Sequence, residues 1–289
     1  MDKQLLNQRI FHLSHCGGIG PASKLRMISA LLDNPYSSAY ELSVNAKLTP
    51  AHTKTFLNSY AAVQLELLFQ RYQTKNIRWL TILDDQYPEY LRQIYNPPVL
   101  LFYQGDLSLL EQRLLAVVGS RKSSAYGENV LNRLLPELVK NDIVMVSGLA
   151  KGIDCAVHQK TMREKGKTVA VVGTGLDRVY PYEHKALQEK IGQEHLLLSE
   201  YPLGAKPLRH HFPMRNRIIA GLSLGTLVIE AKYRSGSLIT ANLALQEGRE
   251  VFAVPGDITN PGVEGTNDLI LHGAKCVLSA AHILEEITF

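Results

Sequence analysis

The chain has 289 residues, of which 45% are hydrophobic and 20% charged, as in an ordinary soluble globular protein. Its formal net charge of +4 is compatible with a nucleic-acid partner but does not establish one. The three cysteines, Cys16, Cys155 and Cys276, are far apart, which excludes a disulfide framework. No signal region follows Met1, and no stretch approaches the roughly 18 apolar residues of a membrane span. We therefore expect a cytoplasmic protein.

Residues 1–75 are predicted to form short helices, a small domain separate from residues 76–289. The Gly-Gly-Ile-Gly-Pro turn at 17–21 resembles a helix-hairpin-helix turn, whose amides can approach a phosphate; it also suits a plain helix connector. A second helical stretch is predicted over 49–72, with Phe56, Tyr60, Leu65 and Leu68 forming one core stripe.

The segment that follows is predicted to extend one edge of a sheet. Residues 77–83 are predicted to form a strand, and the prolines within 86–106 favour extended or turn backbone.

From residue 114 onward, strand-like and helix-like stretches alternate. The strands are predicted at 114–118, 143–146, 168–172, 195–199, 226–230, 250–254 and 275–278. The helices are predicted at 125–140, 155–165, 183–192, 213–222, 237–247 and 264–273. Such alternation predicts an α/β fold, a doubly wound and mostly parallel sheet that binds its ligand at the carboxyl ends of the strands.

The central stretch is 114–124, where a fully apolar strand runs into a glycine turn and then a helix. Gly119 permits the turn, and the unpaired amides of the following helix favour an anion. Arg121 and Lys122 would supply the countercharge. The alternative is a connecting loop whose basic residues lie in water.

Later strand ends repeat this combination of small and basic residues. Gly148 and Lys151 follow the second strand of the alternating series, and Lys232 and Arg234 follow the fifth. A row of such loops forms a basic groove, which suits a polyanion with evenly spaced charges better than one mononucleotide. We expect Asp154 to cap the helix after Lys151.

The segment 206–220 adds basic residues and an aromatic ring. Phe212 is a candidate for stacking on a base of a single strand. Arg217 is either a DNA contact or a buried structural arginine paired with Glu230 or Glu200.

Other chemistries lack their motifs. The turns at 119 and 173 fail the dinucleotide pattern G-x-G-x-x-G, and neither a P-loop nor a nucleophile elbow is found. His12, His15 and Cys16 lack a second pair of zinc ligands. We therefore expect no catalytic residue, no metal and no cofactor.

Five motifs closely resemble those of the DNA-processing protein A (DprA/Smf) family. They are Gly-Ser-Arg at 119–121, Ser-Gly-Leu-Ala-Lys-Gly-Ile-Asp at 147–154, Gly-Thr-Gly-Leu-Asp at 173–177, Phe-Pro-Met-Arg-Asn-Arg-Ile-Ile-Ala-Gly at 212–221 and Ser-Gly-Ser-Leu-Ile-Thr at 235–240. The resemblance covers nearly all of residues 75–289. It implies an extended Rossmann-like fold with a small SAM-like helical domain at the N-terminus.

The resemblance also implies a function. Family members bind single-stranded DNA without known catalysis, protect incoming strands in natural transformation (competence) and load RecA recombinase past single-strand-binding protein, typically as homodimers. The family's pocket arginine and lysine fall on Arg121 and Lys151, with Gly119, Ser120 and Gly148 in the same loops. The complete predicted contact set is Gly119, Ser120, Arg121, Lys122, Gly148, Lys151, Arg217, Lys232 and Arg234.

The sequence leaves two alternative functions open. A Rossmann-like phosphoribohydrolase acting on nucleotide monophosphates would carry a Pro-Gly-Gly-x-Gly-Thr loop, to which residues 255–257 are the nearest approach. A pure scaffold would dimerise without DNA affinity. Many family members also carry a C-terminal winged helix, and we expect none here because the last predicted strand lies close to Phe289.

Overall fold

The computed structural model describes residues 3–287. Five helices come first: α1 (Lys3–Ser14), α2 (Pro21–Asp33), α3 (Ala39–Asn45), α4 (Pro50–Ala62) and α5 (Leu65–Thr74). They are followed by β1 (Arg78–Thr81), α6 (Glu89–Arg92) and β2 (Leu100–Gly105). The alternating part comprises β3 (Leu114–Val118), α7 (Ala125–Lys140), β4 (Val144–Ser147), α8 (Ile153–Arg163), β5 (Thr168–Val172), α9 (Lys185–Glu194), β6 (Leu196–Ser199), α10 (His211–Leu222), β7 (Gly225–Val228), α11 (Gly236–Gln246), β8 (Glu250–Ala253), α12 (Glu264–Leu271), β9 (Lys275–Cys276) and α13 (Ala281–Leu284).

All nine strands form one sheet, in the order β1-β2-β6-β5-β4-β3-β7-β8-β9. The chain builds outward from β3 to β6 and then returns through α10 to β7, on the other side of β3. Neighbours from β6 to β9 are parallel, whereas β2 pairs antiparallel with both β1 and β6. The predicted α/β fold, doubly wound with an added edge, is therefore confirmed, and the carboxyl ends of β3 to β8 lie on one edge.

Strand β3 is central because both of its faces are covered. Leu115 and Val117 pack in the cluster that contains the buried leucines of α7 and the start of α8. Leu114, Ala116 and Val118 pack in the opposite cluster, with α10 and α11. An unbroken apolar run suits a strand that has helices on both sides.

The predicted elements of the alternating part are present, with ends within two residues of the expected positions. The helical stretch predicted over 49–72 is present but divided in two, because α4 ends at Ala62 and α5 begins at Leu65. The two helices face different cores. Phe56 of α4 lies in the cluster among the N-terminal helices, whereas Tyr72 of α5 packs against the sheet, so one straight helix could not serve both.

The turn at 17–21 packs against α4. The amide of Gly17 donates to Ser59 Oγ at 2.8 Å. A Cβ on Gly18 would lie 3.1 Å from the backbone nitrogen of Phe56. These contacts favour the connector interpretation, since the turn already has a partner in the protein.

The N-terminal helices are joined to the sheet through Tyr72, which shares a cluster with Phe102 of β2. His15 holds the tyrosine hydroxyl from the helical side, with 2.8 Å between Nε2 and Oη. The amide of Leu203, in the loop after β6, donates to the same oxygen at 3.0 Å. Because His15 Nδ1 donates to the carbonyl of Phe11, the tyrosine hydroxyl must donate to Nε2 of a neutral ring. The domain boundary near residue 75 stays a prediction.

Two buried histidines lead us to expect that acid destabilises the fold. Burial lowers the pKa of His15 to about 4 and that of His158, in α8 behind β5, to about 3. Both rings are therefore neutral in the native state, while the unfolded chain takes up protons below about pH 6.5. Stability is full above that pH and falls as the pH drops toward 4, by up to about 1.4 kcal/mol per pH unit for each ring.

We predict that His158→Asn reduces the loss of unfolding free energy that accompanies a fall in pH. The amide of asparagine replaces the donor that His158 Nδ1 gives to Thr168 Oγ1, 2.7 Å away, and it does not titrate. The measurement is urea unfolding at several pH values between 4 and 7, with the exposed His272→Asn as control. An equal slope in wild type and His158→Asn would contradict the assignment.

Candidate nucleic-acid interface

A pocket lies where the loops after β3, β4 and β5 meet the first turns of α10. We call it the carboxyl-edge pocket. It is lined by Arg121, Gly148, Ala150, Lys151, Val172, Gly173, Thr174, Tyr180, Pro181, Phe212 and Arg215. The structure thus brings Arg121, Gly148 and Lys151 of the predicted set together around one opening, although they come from two separate loops.

Glycine allows these two loops to touch. Gly152 has φ +74°, and a Cβ there would lie 2.3 Å from the carbonyl oxygen of Ser120. The next amide, Ile153, donates to that same oxygen at 3.0 Å. A Cβ on Gly119 would in turn lie 2.7 Å from the Ile153 side chain. The β3 and β4 loops therefore pack directly against each other, and this contact fixes the backbone of Arg121 relative to that of Lys151.

Arg215 of α10 forms the floor of the pocket, and its role was not predicted from the sequence. It is 5% exposed, and its Nη1 donates to the carbonyl oxygens of Val171, at 2.5 Å, and Gly148. A Cβ on Gly148 would lie 2.2 Å from the guanidinium, so only glycine leaves room for it. In the sequence, Arg215 was one of several basic residues of the 206–220 segment, with nothing to mark it as buried.

Asp154 lies below this floor. The prediction that it caps α8 was wrong: Gly152 is the N-cap, and Asp154 sits inside the first turn. Its carboxylate accepts a bond from the amide of Ala150 at 3.4 Å. Burial raises the pKa of Asp154, and the nearby Arg215 opposes that rise. The residue thus holds the β4 loop from beneath rather than facing the pocket.

Aromatic rings form one wall. The rings of Tyr180 and Phe212 lie 5.5 Å apart at an interplanar angle of 42°. The Arg121 guanidinium lies 5.8 Å from the Phe212 ring centre, within cation–π range. Tyr180 is 48% exposed and can therefore offer a ring face to a ligand. The wall combines a cation with two π surfaces.

The N-terminus of α7, where the sequence suggested an anion site, already has an acidic partner. Ser124 caps the helix by accepting from the amide of Gly127 at 3.2 Å. The buried carboxylate of Glu230 accepts from the amide of Ser124 at 2.9 Å and from its hydroxyl at 2.5 Å. A phosphate at this helix end would meet the Glu230 carboxylate and be repelled by it, so the structure does not favour an anion site there.

The remaining predicted residues lie outside the lining. Lys122 is exposed, and its amide donates to Ser120 Oγ at 3.1 Å, so the Ser120 side chain is turned into its own loop. Lys232 and Arg234 are exposed in the loop after β7, which neighbours β3. These two residues extend the row of exposed basic side chains along the carboxyl edge of the sheet, beyond the pocket.

Arg217 requires a correction. It is 7% exposed, and its Nη2 lies 2.6 Å from both carboxylate oxygens of Glu200. Its other two nitrogens, Nε and Nη1, are buried away from solvent, so a phosphate at the surface cannot reach them either. The structural alternative with Glu200 is the observed one, and Arg217 leaves the proposed contact set.

Across residues 3–287, no group of three His, Cys, Asp or Glu side chains is arranged to hold a metal ion. In the same part of the chain, no helix has both the length and the apolar character that crossing a bilayer requires.

Sequence comparison relates the chain to known proteins. A family model described as DNA recombination-mediator protein A matches residues 78–288. The chain is 53% identical over 209 residues to DNA processing protein DprA of Streptococcus pneumoniae, covering 72% of this chain and 74% of that protein. It is 45% identical over 225 residues to DNA processing protein DprA of Bacillus subtilis, covering 78% and 76%.

Comparison with solved structures points to the same family. The X-ray structure of DNA processing protein A from Streptococcus pneumoniae superimposes with a TM-score of 0.91 at 42% identity, covering 98% of each chain. A structure of DNA processing protein A from Helicobacter pylori, described by its single-stranded DNA binding mode, gives a TM-score of 0.65 at 30% identity, covering 72% of this chain and 94% of that one. The first match includes the N-terminal helices, since nearly the whole chain is aligned.

The loop contact at Gly152 gives a prediction. We expect Gly152→Ala to destabilise the fold by roughly 2–3 kcal/mol, because the methyl group meets the Ser120 carbonyl as well as adopting a left-handed backbone. Chemical denaturation measures the change. The control is Gly248→Ala, where φ is +68° and the new Cβ would meet no atom of any residue beyond its two chain neighbours within 4 Å. Equal losses in the two variants would show that the contact between the loops contributes nothing.

Proposed function

Since the chain belongs to the DNA recombination-mediator protein A family, we propose that it binds single-stranded DNA and mediates its recombination during natural transformation. In this proposal the protein protects incoming strands in the cytoplasm, loads RecA recombinase onto them past single-strand-binding protein, and works as a homodimer. The family assignment supports the recombination role, and the carboxyl-edge pocket supports the choice of ligand.

The observation that carries the proposal is the convergence of Arg121 and Lys151 on one pocket that has no Asp or Glu in its lining. Two exposed cations from interlocked loops can hold successive phosphates of a strand, with the buried Arg215 adding positive charge beneath them. Lys232 and Arg234 would contact the strand beyond the pocket. Binding should therefore be dominated by phosphate contacts and weaken steeply with salt.

Unpaired bases suit the aromatic wall better than a duplex does. Tyr180 and Phe212 offer π surfaces beside the phosphate site, and stacking on such rings requires bases that are free of a double helix. Stacking tolerates any base, so we expect little sequence preference. The Helicobacter pylori structure described by its single-stranded DNA binding mode supports the same choice of ligand.

The lining also bears on the enzymatic alternative. Hydrolysis of a glycosidic bond calls for carboxylates that act as acid and base or nucleophile beside the sugar. The carboxylate of Asp154 is buried beneath Arg215 and faces the loop amides. We therefore propose a binding protein rather than a phosphoribohydrolase; release of free base from nucleoside monophosphates would contradict this.

The proposed homodimer is supported by exposed apolar side chains on α11 and α12, the helices that pack beside β7 and β8. Leu245 of α11 and Leu271 of α12 are 53% and 83% exposed. Exposed apolar side chains mark a subunit interface where they form one contiguous patch, and the proposal requires these two leucines to belong to such a patch. Sedimentation of the purified chain as a monomer at micromolar concentration would contradict this part of the proposal.

We predict that Arg121→Ala and Lys151→Ala each weaken binding of oligothymidine by about tenfold or more at moderate salt. Each variant should also reduce the slope of log affinity against log salt by about 0.7, the value for one lost phosphate contact on a single strand. Fluorescence anisotropy over a salt series measures both quantities.

The matched control is Lys190→Ala, an exposed lysine of α9 that is paired within its own helix and lies outside the pocket lining. It should leave the affinity and the slope nearly unchanged. A folded double variant of Arg121 and Lys151 that binds oligothymidine like wild type would refute the site. Gel shifts with single- and double-stranded oligonucleotides test the preference for unpaired DNA.

A further inference from the structure

The ammonium group of Lys151 already has an ionic partner at the rim of the pocket. Its Nζ lies 2.8 Å from Oε1 and 2.9 Å from Oε2 of Glu183, so both carboxylate oxygens face it. The Lys151 side chain is 56% exposed and that of Glu183 is 57% exposed. Among the polar contacts of residues 3–287, Glu183 provides the only hydrogen bond to the Lys151 side chain.

The fold fixes the start of the Glu183 side chain. Glu183 lies in a single helical turn, Tyr182–His184, and the next residue anchors that turn. The buried His184 ring approaches the carbonyl oxygen of Leu149 through Nδ1, at 2.9 Å. Leu149 belongs to the loop that carries Lys151. The turn that contains Glu183 is therefore hydrogen-bonded to the loop that contains Lys151, so the two side chains stay within reach of each other.

The pair is electrically neutral as a unit. The hydrogen bond and the charge of Lys151 lower the pKa of Glu183, so its carboxyl group is ionised at neutral pH. A phosphate that approaches Lys151 therefore meets a carboxylate on the ammonium group and is repelled by it. Because Glu183 is more than half exposed, its side chain can turn into water without breaking any buried contact.

We propose that Glu183 is a displaceable counter-ion of Lys151, which a backbone phosphate of single-stranded DNA must push aside in order to bind. This inference rests on the proposed function and adds a residue that tunes affinity. The carboxylate lowers the affinity of the pocket and re-forms its pair when the phosphate leaves. A strand that must be handed on to another protein is then released more readily than from an uncompensated lysine.

The test compares Glu183→Gln with Glu189→Gln by fluorescence anisotropy on oligothymidine. Glu189 is the matched control, because it is also 57% exposed and paired with a lysine, Lys185, yet lies on the outer helix α9. Both variants remove one negative charge. We expect Glu183→Gln to tighten binding about fivefold and Glu189→Gln to change it less than about twofold. In a Lys151→Ala background, most of the gain should disappear.

The outcomes separate this inference from the proposed function. Wild-type protein that fails to bind oligothymidine refutes the function itself. If wild type binds and the two glutamine variants behave alike, the function stands and the counter-ion role is refuted. Weaker binding by Glu183→Gln refutes it too, since Glu183 would then orient Lys151 for the phosphate. A gain that persists in full without Lys151 also refutes it, by showing a general effect of charge. Thermal unfolding confirms that each variant is folded.

Discussion

The contact between the β3 and β4 loops is the constraint on which the site depends. Parallel strands place their carboxyl ends about 4.8 Å apart, which leaves loops free to diverge above the sheet. Here the missing side chain of Gly152 lets the β4 loop lie against the Ser120 carbonyl, and Ile153 bonds to that same oxygen. The backbones that carry Arg121 and Lys151 are thereby held next to each other, so that both side chains open onto the same pocket.

A second constraint acts from below. Arg215 reaches across from the opposite face of the sheet and bonds to the carbonyls that end β5 and open the β4 loop. A guanidinium keeps its charge when buried, and here Asp154 compensates part of it. Loop backbone and buried charge thus stabilise each other. The same arrangement puts positive potential under the pocket without exposing another flexible side chain.

Much of this could be predicted from residue order alone. Apolar runs separated by helical periods predicted the parallel sheet, and the rule that ligands bind at carboxyl strand ends brought Arg121 and Lys151 together. The features that could not be predicted depend on contacts between distant parts of the chain. Arg215 and Arg217 are two residues apart on one helix, and only the packed structure shows that one lines the pocket while the other pairs with Glu200. The carboxylate of Glu230 at the start of α7 lies 106 residues beyond Ser124, and the local pattern gives no sign of it.

The N-terminal helices contribute to the site without lining it. Tyr72, fixed by His15, accepts the amide of Leu203 in the loop after β6. The following residue of that loop, Gly204, donates to Asp177 at 2.8 Å and so ties it to the loop after β5. The chain then enters α10, where the His211 ring contacts the Gly173 carbonyl at 3.0 Å just before Phe212 and Arg215. Hydrogen bonds that are joined by short stretches of backbone therefore link the N-terminal helices to the pocket wall. The N-terminal helices thus support the loop between β6 and α10 from the side away from the pocket, because Tyr72 accepts one of the hydrogen bonds that hold this loop in place.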